Sequence, residues 1–231
     1  MNVPPVPATV FLVDDDVSVL RAIARLVRSA GWKVAAFHSP QDFLDRQDPD
    51  APGCLVLDVT MPGLNGLELQ QALAHAGNYL PIIFLTGTGD IPTSVRAMKS
   101  GAVDFLSKPC RDEELLGAIQ YALAKDQQFR QQQAQERALA ELLATLTPRE
   151  HEVMLRVVAG KLNKQIAADL GTVEQTIKVH RARVMEKLGV TSVADLVRLS
   201  ERAGARIKQS HSAYDRIAPR SNTGGHSGVV T

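Results

Sequence analysis

The chain has 231 residues, of which 45% are hydrophobic and 22% are charged, and its formal net charge is +1. This length and composition are typical of one or two globular domains. No apolar stretch approaches the roughly 18 to 20 residues of a membrane-spanning helix, and the proline-rich N-terminus lacks the pattern of a secretory signal. With only two cysteines, a disulfide framework is not expected, and we predict an intracellular, cytoplasmic location.

The first half of the chain alternates between short apolar runs and helical patterns. The runs are rich in β-branched residues, which indicates buried strands of a parallel sheet. They occupy residues 10–13, 34–37, 55–57, 82–85 and 103–106. A helical pattern with apolar residues at spacings of three and four follows each run. The alternation therefore predicts five βα units with right-handed crossovers.

From Arg111 onward the pattern becomes purely helical. One apolar face contains Leu115, Ile119 and Leu123, and a glutamine-rich stretch follows it. Because Gln, Ala, Glu and Arg are strong helix formers, this stretch predicts a long helix with a sparse seam that could contact a second copy. A flexible, solvated spacer is the alternative.

The C-terminal part of the sequence, from Thr147 onward, predicts four short helices. Thr147 and Pro148 form an N-cap pair, and Glu150 stands at the capping-box position. Asn163 is predicted to cap the second helix, the third begins near Thr172 or Glu174, and the fourth opens at Thr191 and Ser192. The segment from about residue 204 has few apolar residues and is predicted to be unstructured.

The two halves differ in charge. Residues 1–110 contain 8 Lys and Arg against 11 Asp and Glu, whereas residues 147–208 contain 12 against 7. A basic back half makes nucleic acid a candidate partner.

Charged and hydroxyl side chains follow the predicted strands of the acidic half. Asp14, Asp58, Thr86 and Lys108 each stand at a strand's carboxyl end. In a parallel sheet these ends share one edge, where ligands bind. The lysine would neutralise part of the acidic charge, and Mg²⁺, which prefers oxygen ligands, could neutralise the rest.

These residues carry a resemblance to a known family. The sequence from Leu57 to Gly66 resembles the phosphoacceptor loop of bacterial response-regulator receiver domains, and the Asp14-Asp15, Thr86-Gly87 and Lys108-Pro109 pairs match its other motifs in order. The match covers about 8–125. It implies a flavodoxin-like (βα)5 fold with strand order 2-1-3-4-5.

The resemblance also implies roles for individual residues. Asp58 would accept a phosphoryl group from a phosphohistidine on a sensor histidine kinase, and Thr86 and Lys108 would hold the phosphoryl oxygens. Phe105 occupies the aromatic switch position, together with Thr86, although the plainer interpretation of Phe105 is a core residue. A cis Lys108-Pro109 bond is implied as well. The Mg²⁺ ligands would be Asp14, Asp15, Asp58 and the Thr60 carbonyl oxygen.

The back half resembles the LuxR-type helix-turn-helix of NarL/FixJ-type response regulators. The segments 146–150, 163–167 and 176–181 carry the match. In this geometry the second helix of the pair, 174–188, lies in the major groove. The side chains expected to reach the bases are Gln175, Lys178, Val179, Ala182 and Arg183. Those expected to contact phosphates are Lys164, Thr172, Arg181 and Lys187.

We therefore predict a receiver domain at 8–125, a helical linker at 126–145, a DNA-binding domain at 146–205 and a disordered tail at 206–231. The chain is expected to be a transcriptional regulator and not an enzyme. Its expected partners are DNA, a sensor histidine kinase, a second copy when phosphorylated, and RNA polymerase. Two alternatives stay open: a haloacid-dehalogenase-type phosphatase with Asp14 as nucleophile, and an interaction module whose receiver is not phosphorylated.

Overall fold

The computed structural model describes residues 8–46, 48–87 and 91–203. The chain divides into two compact units between Gln131 and Gln132, and each unit has its own hydrophobic core. The predicted disordered tail and the last two residues of the predicted DNA-binding domain lie outside the described residues. Within the described part of the chain, no helix combines the length and the apolar character needed to cross a membrane.

The first unit is built on a five-stranded parallel sheet. The strands are β1 (Thr9–Val13), β2 (Lys33–Phe37), β3 (Gly53–Leu57), β4 (Ile82–Thr86) and β5 (Asp104–Ser107). Their order is β2-β1-β3-β4-β5, and every pair is parallel. The predicted flavodoxin-like fold and strand order are therefore confirmed.

Helices cover both faces of this sheet, because successive residues of each strand point to opposite faces and both faces are apolar. The helices are α1 (Val17–Ser29), α2 (Pro40–Arg46), α3 (Gly66–His75), α4 (Ile91–Lys99) and α5 (Asp112–Ala144). Phe11 and Val13 face a core that α2, α3 and α4 complete, whereas Val10 and Leu12 face a core shared with α1 and α5. Because every strand pair is parallel, the carboxyl ends of all five strands lie at one edge of the sheet.

Helix α5 is continuous for 33 residues, which confirms the predicted long helix over the flexible spacer. Along α5, the contacts with the rest of the first unit continue as far as Arg130. The Arg130 guanidinium bonds the buried Asp126 carboxylate at 2.9 Å and the carbonyl oxygens of Asp50 and Ala51 at 2.6 and 2.7 Å. Asp126 in turn accepts a hydrogen bond of 2.9 Å from the amide of Gly53. The helix is thus attached to the start of β3 by residues that lie within the predicted linker.

The second unit is helical in its described part. Its helices are α6 (Pro148–Val158), α7 (Asn163–Asp169), α8 (Glu174–Lys187) and α9 (193–203). Thr147 and Glu150 form the predicted capping box of α6. Asn163 does not cap α7 as predicted: Leu162 is the N-cap residue, and the Asn163 amide oxygen accepts a hydrogen bond from Arg181 instead.

Candidate functional site

The carboxyl edge of the sheet brings together an acidic cluster and one lysine. Because β1 and β3 are neighbours in register, Asp14 and Asp58 follow them at the same level, and Lys108 follows β5. One oxygen from each of Asp14, Asp15 and Asp58 lies within 4.8 Å of the others. We call Asp14, Asp15, Asp58 and Lys108 the acidic rim. These oxygens are hard ligands of the kind that Mg²⁺ prefers, so the donor set fits that ion.

Lys108 is shared between two buried carboxylates. Its ammonium lies 2.5 Å from Asp14 Oδ2 and 3.4 Å from Asp58 Oδ2. The side chains of Asp14 and Asp58 are only 7% and 9% exposed, so water screens these charges poorly. The Lys108-Pro109 peptide bond is cis, as the resemblance implies.

The acidic rim contains three carboxylates and one ammonium group. Burial raises the pKa of Asp14, the hydrogen bond and charge of Lys108 only partly oppose this, and the charge of Asp58 raises it further. Burial alone would lower the pKa of Lys108, but the bond with Asp14 and the charges of Asp14 and Asp58 raise it. A single ammonium therefore serves more negative charge than it neutralises, which favours an added cation.

Backbone contacts hold the Asp58 loop in place. The Asp58 amide donates to the carbonyl of Val13 at 2.9 Å, and Asp58 Oδ1 accepts from the Val59 amide at 2.8 Å. On the other side, the loop lies directly against the first residue of α3. A Cβ atom on Gly66 would lie 2.2 Å from the Asp58 carbonyl oxygen, so only glycine fits there. This role of Gly66 was not predicted from the sequence, although a glycine immediately after the N-cap residue Asn65 was a usable signal.

The remaining predicted residues of this unit lie as follows. Thr86 is fully buried at the end of β4. Thr60 lies in the Asp58 loop and is exposed. Phe105 is half-buried, and its ring centroid lies 6.1 Å from that of Phe84. Asp16, the third acid of the sequence run, caps α1 by accepting from the amides of Ser18 and Val19. Asp16 therefore has a local structural function outside the acidic rim.

In the second unit, α7 and α8 are joined by a tight turn at Gly171, whose φ is +62°. The α8 residues predicted to reach the bases are all exposed: Gln175, Lys178, Val179, Ala182 and Arg183. The inward side chains of Ile177, Val184 and Leu188 are buried. This helix thus presents one polar and basic face that is free of core contacts.

The four predicted phosphate contacts differ in their surroundings. Lys164 is exposed and Thr172 is half-buried at the turn. Arg181 donates to Asn163 Oδ1 at 2.7 Å, which connects α8 to α7. Lys187 bonds Glu150 at 2.6 Å and the Thr145 carbonyl at 3.0 Å. Arg181 and Lys187 therefore already serve as bridges inside the domain.

Comparison with known families supports the division into two parts. The response regulator receiver domain matches residues 10–120, and the luxR family of bacterial regulatory proteins matches residues 144–200. Nodulation protein W of Bradyrhizobium diazoefficiens is 49% identical over 91% of this chain and 92% of its own length. The response regulator protein TodT of Pseudomonas putida is 47% identical over 84% of this chain and 86% of its own length.

Solved structures of response regulators also match most of the chain. The low-resolution structure of the response regulator StyR matches with a TM-score of 0.81 and 46% identity, and the match covers 85% of this chain and all of that one. Full-length FixJ from B. japonicum matches with a TM-score of 0.53 and 40% identity over 86% of this chain and 98% of that one. The likeness therefore extends across both units of the chain.

Proposed function

This chain belongs to the transcriptional response regulators that join a receiver domain to a LuxR-type DNA-binding domain, and from this premise we propose that Asp58 is its phosphoacceptor. The observation that carries the proposal is the meeting of Asp14, Asp58 and Lys108 at one edge of the sheet. The family consists of transcriptional regulators and not of enzymes, so the phosphatase alternative is excluded.

In the proposed reaction an oxygen of Asp58 attacks the phosphorus of a phosphohistidine on a sensor histidine kinase. The new oxygen–phosphorus bond forms as the bond to the imidazole nitrogen breaks, and the product is an acyl phosphate on Asp58. The Val59 amide fixes one carboxylate oxygen, which leaves the other facing Lys108. Lys108 and the hydroxyl of Thr86 would hold the phosphoryl oxygens, whose charge needs cationic and hydrogen-bonding partners.

Asp14, Asp15, Asp58 and the Thr60 carbonyl would hold Mg²⁺. When bound, the ion supplies positive charge that lowers the repulsion between the carboxylates and the incoming phosphoryl group. The meeting of three carboxylates within 4.8 Å of one another beside a single ammonium supports this assignment, because Lys108 cannot neutralise all three. Phe105 and Thr86 would pass the change at Asp58 to the surface of the receiver.

In the second unit, we propose that α8 reads DNA in the major groove. Gln175, Lys178, Val179 and Arg183 would face the bases, while Lys164 and Thr172 would contact phosphates. Phosphorylated protein would act as a homodimer on paired half-sites, in the cytoplasm and with RNA polymerase as a further partner.

Labelling with acetyl phosphate and Mg²⁺ tests the phosphoacceptor. We expect one acid-labile phosphoryl group on the wild type, none on Asp58→Asn, and normal labelling of Asp112→Asn, which alters an exposed carboxylate at the start of α5. Persistent labelling of Asp58→Asn would overturn the assignment. An unlabelled wild type would instead favour the interaction module whose receiver is not phosphorylated.

Selection from a random DNA library tests the second part of the proposed function. The phosphorylated wild type should enrich one sequence with two half-sites. Enrichment of no sequence by either the phosphorylated or the unmodified protein would contradict DNA recognition by α8.

A further inference from the structure

Lys187 lies in the last turn of α8, and its ammonium group contacts a carboxylate and a backbone carbonyl. Its ammonium lies 2.6 Å from Glu150 Oε2 and 3.0 Å from the carbonyl oxygen of Thr145. The Lys187 side chain is 34% exposed and that of Glu150 only 3%. We call these three groups the Lys187 bridge. The bridge is more buried than a surface ion pair such as Lys178–Glu174, whose side chains are 56% and 48% exposed.

Glu150 accepts a second hydrogen bond beside the one from Lys187. It is the third residue of α6, and its carboxylate also accepts a hydrogen bond of 2.9 Å from the amide of Thr147. The hydrogen bond from Lys187, followed by that from the Thr147 amide, lowers the pKa of Glu150 to about 2. The carboxylate therefore remains charged at neutral pH and keeps Lys187 as its partner.

The Lys187 bridge connects three parts of the chain. Thr145 immediately follows the end of α5, Glu150 lies in the first turn of α6, and Lys187 lies in the last turn of α8. A cation at the end of α5 also satisfies a carbonyl that the helix leaves without an internal partner. The middle of α8 is connected to α7 by the bond from Arg181 to Asn163. Polar bridges thus fix α8 at two separate points.

We propose that Lys187 positions the recognition helix α8 and does not contact DNA phosphate. This differs from the role that its place in the motif predicts. A phosphate contact would require the ammonium to leave Glu150, and the neighbouring carboxylate cancels the positive charge that a phosphate would seek. Lys164, which is exposed on α7, has no such requirement. The proposal rests on the proposed function of α8 in DNA recognition.

The test compares Lys187→Met with the double variant Lys187→Met/Glu150→Gln. In the single variant Glu150 is left buried and charged without its cation, which destabilises the domain. Glutamine removes that charge and can still accept the hydrogen bond from the Thr147 amide. Thermal unfolding and DNA binding are measured on the full-length protein. The DNA probe is the duplex that the phosphorylated wild type selects from a random library, and its affinity is measured at several salt concentrations.

We expect Lys187→Met to lower the Tm and to weaken binding of the selected duplex by roughly tenfold, the equivalent of one lost base contact. The slope of log K against log salt should stay at its wild-type value, because no phosphate contact is lost. The double variant should regain most of the Tm and of the affinity. As the control, Lys164→Met should keep the Tm but make the salt slope shallower by about 1.

Two results would overturn the positioning role. One is a Lys187→Met protein with wild-type Tm and a shallower salt slope, which is the behaviour of a phosphate contact. The other is a double variant that regains its Tm but not its affinity. Failure of the wild type to select any duplex would instead reject the proposed function, so the two failures are distinguishable.

Discussion

The acidic rim of the receiver and the Lys187 bridge of the second unit are both built from a lysine and buried carboxylates, but their charges are balanced differently. Lys108 serves both Asp14 and Asp58, and the pKa of Asp14 is raised mainly by burial. Lys187 serves one carboxylate, and the pKa of Glu150 is lowered to about 2, mainly by the hydrogen bond from Lys187. The rim therefore has three carboxylates to one ammonium, whereas the bridge pairs one ammonium with one carboxylate.

This difference matches what each site has to do. Under the proposed function the acidic rim has to bind a cation, and negative charge that its own residues leave uncompensated raises the affinity for that cation. A joint that fixes a helix gains rigidity from a poorly solvated charge pair that is also hydrogen-bonded to the backbone. Four changes would test this contrast.

The largest effect is expected at the lysine of the rim. Lys108→Met should lower the rate of labelling by acetyl phosphate by roughly 100-fold, because it removes a preorganised cation beside the phosphoryl oxygens. Lys99→Met, which alters an exposed lysine at the end of α4, should label like the wild type. Equal rates for both variants would show that Lys108 only balances charge in the resting protein.

The next effect is steric and concerns the Asp58 loop. Gly66→Ala should lower the free energy of unfolding by about 1–3 kcal/mol, because the new methyl group would overlap the Asp58 carbonyl oxygen. Gly117→Ala in α5 is the matched control, since nothing lies within 4 Å of its added Cβ. That variant should be stabilised by about 0.5–1 kcal/mol. Urea unfolding measures the stability of both variants. Equal stabilities would show that the Asp58 loop accommodates the added methyl group without loss of stability.

A smaller effect is expected from Mg²⁺, which should raise stability through the acidic rim and not through Glu150 of the Lys187 bridge. At a concentration of ten times its Kd, the ion should stabilise the folded receiver by about 1.4 kcal/mol, seen as a higher Tm. Asp15→Asn should lose most of this gain. Glu150→Gln should keep it because Glu150 lies in the second unit. A gain of the same size in Asp15→Asn would remove Asp15 from the ligand set.

The smallest effect is the pH dependence of the Lys187 bridge. The pKa of Glu150 is about 2 in the folded protein and 4.5 as its ordinary value. The bridge therefore contributes stability that is fully present above about pH 4.5 and is lost as the pH falls toward 2. Thermal unfolding between pH 6 and 3 should show a steeper loss for the wild type than for Glu150→Gln. Parallel curves would mean that the carboxylate is not held in its charged form.

The fold and the rim could be predicted from the sequence because both follow from local patterns. Short β-branched runs fix the strands, and the residue after each strand then falls on a known edge. The contacts of Arg130 and Lys187 could not be predicted in this way. Lys187 and Glu150 are separated by 37 residues and Gly53 and Asp126 by 73, so only the packed structure shows that these side chains meet. For the same reason the motif suggested a phosphate contact for a lysine that bonds inside the domain.

The contacts of Arg130 determine which fragments of this protein are worth isolating. A receiver fragment that ends at residue 125 would lack both Asp126 and Arg130, and the Gly53 amide and the carbonyls of Asp50 and Ala51 would lose their side-chain partners. A fragment that ends at 131 would retain all of them. Kinetic constants measured on the shorter fragment would therefore describe a β3 strand that has been released at its first residue, 5 residues before the aspartate under study.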